Sequence, residues 1–142
     1  MTSSDPLAEG ARRADHLLTL LSADHQDAAE ALLEDIPDVR NLVFVGAGLT
    51  AVARSESRAL PPAQRAQANT RQLRLGELRD ANRSDPAGLR IWLRRSAEEI
   101  LLIRSQRAIA ERVEAGDQEW TALRAAAEAS GTAAASDAAT TT

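Results

Sequence analysis

The sequence predicts an all-α fold: a small helical bundle of about five or six helices, with a long central helix at 86–115. Three observations lead there. Ala, Leu, Arg and Glu dominate the 142 residues, and all four favour helices. The residues that fill sheets are scarce, with one Phe, two Trp and no Tyr. Apolar residues recur at three- and four-residue spacing through most of the chain. The length suits one domain, and residues 1–130 are read as a single helical domain. From Gly131 the chain reads GTAAASDAATTT, without a large apolar residue, so residues 131–142 are expected to form a disordered tail rich in Ala, Thr and Ser.

Residues 1–4 are expected to be mobile. Asp5–Pro6 is an N-cap followed by a proline at the first helical position. It starts a first helix that runs to about Leu21, with Leu7, Ala11, Ala14, Leu17, Leu18 and Leu21 inward. Gly10 is expected to weaken its start. Ser22 is expected to cap a second helix near 23–35, with Ala28, Ala29, Leu32, Leu33 and Ile36 on the buried stripe and Pro37 closing it.

The segment after Asp38 is ambiguous. Leu42–Val45 reads as a buried strand before a glycine turn, or as part of a helix. No second strand is present to pair with it, and an unpaired buried strand leaves backbone groups unsatisfied. A helix over 39–59 is therefore preferred, with Val39, Leu42, Val43, Gly46, Ala47, Thr50 and Ala53 inward. Gly46, Ala47 and Gly48 would then let another backbone approach closely. The same run, GAGLTA, is formally close to a glycine-rich nucleotide loop, but the parallel strands that such a loop needs do not follow.

Pro61–Pro62 opens a fourth helix over 62–82. Its expected apolar face is weak: Ala63, Ala66, Thr70, Leu73, Leu78 and Ala81. Asp85–Pro86 repeats the opening cap signature and starts the central helix. There Leu89, Leu93, Ala97, Ile100 and Ile103 fall on one stripe, with Trp92 and Ala110 at its margin. Ile91, Leu102 and Ile109 form a second strip. Two strips imply a helix central to a bundle, or one shared between a core and a partner subunit. Gly116 is expected to end this helix as a left-handed C-cap. Asp117 would then cap a short helix at about 118–129, with Trp120, Leu123 and Ala127 inward. No sustained heptad is read in the Arg-rich middle, which argues against a long coiled coil.

Several function classes are set aside. Cysteine is absent, which removes disulfides and thiolate chemistry. Lysine is absent too, so all 17 basic side chains are Arg and no Schiff base is available. No apolar run reaches the length of a membrane span, and the N-terminal stretch is polar, so no membrane association and a cytoplasmic location are expected. His16 and His25 are the two histidines, and they occur in neither HExxH nor Glu-x-x-His spacing; they are read as solvated. No G-x-S-x-G elbow is present. Glu98 and Glu99 each follow an arginine by four residues, and simple intrahelical pairing accounts for them. No metal or cofactor is expected, and an enzyme is disfavoured.

Charge is unevenly placed, with a net −6 over residues 1–50, +6 over 51–95 and −4 over 96–142. Arg71, Arg74, Arg79, Arg83, Arg90, Arg94 and Arg95 are therefore candidates for binding an anion or an acidic partner, with Arg65 beside them. Two functional readings follow. The first is a non-catalytic helical interaction protein, homodimeric or bound to another protein, whose interface uses Ile91, Trp92, Leu102 and Ile109. The second is a nucleic-acid-associated regulator, in which arginines from 65–95 contact phosphates. A small helical enzyme or ligand sensor is the remaining alternative.

Overall fold

The computed structural model describes the backbone of residues 5–140 and the side chains of residues 5–131. The described residues form five helices and no strand. They are α1 (Pro6–Ser22), α2 (Gln26–Glu34), α3 (Val39–Ser57), α4 (Pro62–Ala81) and α5 (Pro86–Thr140). The chain divides into two compact units, residues 1–107 and residues 108–142, and α5 contributes to both. Residues 1–4 lie outside the described residues, as do the side chains of nearly all the expected tail at 131–142.

In the first unit the core is built mainly from α1, α3 and the first part of α5. Leu17, Leu42, Leu49, Leu89, Leu93, Ile100 and Ile103 are fully buried there. The expected stripe of α5 is inside at every position, because a strict three-four repeat of large apolar residues leaves one orientation that keeps them all from water.

α1 and α3 approach most closely, and glycines permit it. A Cβ on Gly10 would stand 2.5 Å from the Phe44 carbonyl oxygen. One on Gly48 would stand 3.2 Å from Ala11 Cα and Ala14 Cβ. Gly10 thus belongs to a buried crossing, not to a weak helix start. The region 39–57 is helical as expected, so the glycine-loop and strand readings fall. Asp38 caps it, its carboxylate accepting from Asn41 N–H at 2.8 Å.

The inward registers of α3 and α4 differ from expectation. α3 buries Leu42, Val45, Gly46, Leu49, Ala53 and Ser57, while Val43 and Ala47 are exposed. Val45 and Leu49 take the inward places expected of Val43 and Ala47, and Thr50 is half-buried. On α4 only Ala68 is buried, with Gln64, Arg71, Gln72, Leu75 and Leu78 half-buried. Ala63, Ala66, Thr70, Leu73 and Ala81 are exposed.

Two boundaries also move. Ser22 does not cap α2, because α1 continues through it. The chain turns at Asp24, the one described non-glycine residue with positive φ, at 59°. His25 N–H donates to Leu20 O at 2.9 Å and Asp24 N–H to Leu21 O at 3.1 Å. This pairing is the Schellman motif, with aspartate in glycine's usual place. At the other end, α5 continues through Gly116, so neither the expected stop nor a separate helix capped by Asp117 forms. No described glycine has positive φ. Continuing the helix through Gly116 costs about 1 kcal/mol in propensity relative to alanine.

Two stability outcomes follow. Gly46→Ala would place a Cβ 1.9 Å from the Trp92 ring. It should lower the unfolding free energy by about 1–3 kcal/mol in denaturant titration; an unchanged midpoint would contradict this packing. Asp24→Gly should raise stability by about 0.5–1 kcal/mol by relieving the left-handed conformation, read in the same titration.

Candidate interaction surface

The residues proposed from sequence as interface or charge sites separate into two groups, and the structure adds a cleft. The first is apolar. Ile91 and Leu102, in the first unit, are 52% and 42% exposed. In the second unit Ile109, Val113, Trp120 and Leu123 are between 51% and 64% exposed. Trp92 does not join them. It is buried, with its indole lying against the α3 backbone where Gly46 has no side chain. The sequence places Trp92 at the margin of the stripe and gives no sign that Gly46 makes room for it. It also gives Val113 no evident role, and sets Trp120 and Leu123 inward on a short helix. The signal that finds all three is their spacing from Ile109 along an unbroken helix.

The second group is the arginines, and most are engaged within the bundle. Arg90 donates to the carbonyls of Leu33 at 3.0 Å and Ile36 at 3.3 Å, so a cation closes the C-terminal end of α2. Arg94 meets Glu30 at 2.6 Å and Glu98 at 3.2 Å, and also donates to Gln26. Arg71 meets Glu99 at 2.7 Å. Arg79 pairs with Asp80 at 3.1 Å and Arg83 reaches the same carboxylate at 4.0 Å. Arg65 donates to the Leu60 carbonyl at 3.3 Å. Arg74 and Arg95 line a shallow cleft of about 420 Å³ together with Arg71, Glu98, Glu99 and Leu102. The seven arginines therefore do not converge on one positive groove. Glu99 takes its partner from α4 and not from Arg95, four residues before it.

A further pair has no signature in the sequence. Arg104 grips Glu56 of α3 with two hydrogen bonds, at 2.8 and 2.9 Å. The hydrogen bonding to the carboxylate raises the Arg104 pKa above its ordinary value, against partial desolvation.

The third feature is a cleft of about 610 Å³ among α3, α4 and α5, lined in part by Leu49, Ala53, Gln72, Leu75, Trp92 and Ser96. Glu99 borders it and is only 6% exposed. Its Oε1, the Nη2 of Arg71 and the Nε2 of Gln72 have no hydrogen-bond partner and are closed to solvent. So are the Oε1 atoms of Gln64 and Gln106. All five atoms belong to α4 or α5, so the seam between these helices is polar and incompletely satisfied. Neither histidine lines the cleft, and both are exposed. Among the described residues no group of three or more His, Asp or Glu could hold a metal ion, and no helix is long and apolar enough to cross a membrane.

The Arg71–Glu99 pair yields a double-mutant prediction. Arg71→Ala should cost about 3–5 kcal/mol, because it strands a buried carboxylate. Replacing both residues by leucine should be neutral or stabilising relative to wild type. Chemical denaturation of the three proteins tests this; a double variant as weak as the single one would contradict it. Comparison of the chain with known proteins finds no matching family, no similar curated protein and no similar solved structure.

Proposed function

We propose that this protein is a non-catalytic helical interaction protein that acts as a homodimer, with α5 supplying the contact. The observation that carries the reading is the series of large apolar side chains left exposed on the part of α5 in the second unit: Ile109, Val113, Trp120 and Leu123. Single exposed apolar residues are ordinary on a protein surface, but a run of them on one helix marks a contact surface. The internal engagement of Arg71, Arg90 and Arg94 supports the same reading, because charges held in ion pairs and caps are withdrawn from phosphate binding.

Light scattering over a range of protein and salt concentrations tests the proposal. The expected outcome is a mass twice the chain's 15.2 kDa at high concentration, falling on dilution. Ile109→Asp should shift the protein toward the monomer and leave the unfolding midpoint of the bundle unchanged at low concentration. A wild-type monomer at every concentration would overturn the proposal.

A further inference from the structure

The exposed residues in the second unit have an order that identifies their partner. Ile109, Val113, Gly116, Trp120, Leu123 and Ala127 are separated by four, three, four, three and four residues. This is the alternation of d and a positions in a heptad, with Ile109 at d and Val113 at a. Every residue from Glu111 to Gly131 is exposed. A helix of this length with no buried side chain has little stability of its own in water, so its apolar seam calls for a cover.

The charges beside the seam specify that cover. With Ile109 at d, Arg112 and Glu119 occupy g positions, and Asp117 and Arg124 occupy e positions. In a parallel, in-register pair each g residue faces the e residue five positions further along the other chain. Arg112 then meets Asp117 of the partner subunit, and Glu119 meets Arg124 of the partner subunit. Both contacts join opposite charges, and two-fold symmetry repeats them. The antiparallel arrangement that best overlaps the same apolar positions is opposed, because it sets Asp117 against its own copy and Glu119 against its own copy. Shape agrees with the parallel choice. A Trp120 knob would enter a hole that includes Gly116 of the partner subunit, and nothing lies within 4 Å of where a Gly116 side chain would stand.

We propose that residues 109–127 of α5 pair with the same residues of a second copy as a parallel, in-register coiled coil. The inference rests on the homodimer reading above and adds the segment, the orientation and the register.

The absence of cysteine makes the test direct. Leu123→Cys and Val113→Cys, each in the full chain, are exposed to mild oxidant beside Ala125→Cys, which sits at the outward f position. The expected result is a disulfide-linked dimer from each of the first two variants and little from the third. Glu119→Arg should weaken dimerisation about tenfold at low salt by reversing two attractive pairs. Adding Arg124→Glu should restore it. Light scattering on the wild-type chain separates the two failures. If the wild type is a dimer but the Val113→Cys and Leu123→Cys chains cross-link only when mixed with each other, the pair is antiparallel and this inference alone is overturned. A dimer that Glu119→Arg leaves as tight as the wild type likewise overturns it. A monomer at all concentrations overturns the homodimer reading as well, and leaves the seam to a helix of another protein.

Discussion

The Trp92 indole rests where Gly46 has no side chain, and the rest of the first unit is arranged around that contact. A chain with one Phe and two Trp has few large side chains with which to fill a core. It compensates by bringing backbones together. Gly10 and Gly48 let α1 and α3 touch, and Gly46 makes room on α3 for the indole ring of Trp92. Close packing of this kind is unforgiving, because a single added methyl meets backbone or ring atoms with no room to move. The polar contacts then hang on the α5 scaffold that carries Trp92. Arg90 reaches the end of α2, Arg104 reaches Glu56 on α3, and Glu99 receives Arg71 from α4.

This arrangement uses the chain's uneven charge internally. The basic middle of the sequence meets acids that lie before and after it, as in Arg94 with Glu30 and Arg71 with Glu99. Burial of Leu89, Leu93, Ala97, Ile100 and Ile103 holds the first part of α5 in the bundle. From Ala108 to Gly131 no described residue is buried, and the pairing proposed for residues 109–127 would supply support of a different kind.

Much of the fold is legible in the sequence because its signals are strong and local. Asp38 and the Asp-Pro pairs at 5–6 and 85–86 place three helix starts to the residue, and the α5 stripe follows from its period. The parts that depart from expectation have weaker or competing signals. On α3 and α4 several faces carry similar apolar content, so small residues such as Ala47 or Ala66 do not fix which way the helix turns. The polar inward face of α4, with Gln64, Arg71 and Gln72, contradicts the rule that apolar residues point inward. Gly116 reads as a stop because glycine favours the left-handed cap, but that conformation is taken at Asp24 instead. Dividing the chain at Gly116 also splits the heptad of 109–127 between two supposed helices, which hides the candidate seam.

The polar seam under α4 has a consequence for how the bundle breathes. α4 buries one alanine fully and presents half-buried Gln64, Arg71, Gln72, Leu75 and Leu78, so its detachment uncovers less apolar surface than that of α1, α3 or α5. Detachment also lets water reach atoms that lack partners when the seam is closed, among them Gln64 Oε1 and Arg71 Nη2. Their hydration offsets part of the cost of exposing that surface. Of the longer helices in the first unit, α4 is thus held by the least apolar burial, and its hold on α5 rests more on the Arg71–Glu99 pair. The first unit thus joins two kinds of packing: an α1–α3–α5 frame interlocked by close apolar contacts, and α4 held on its side through a mixed polar and apolar seam.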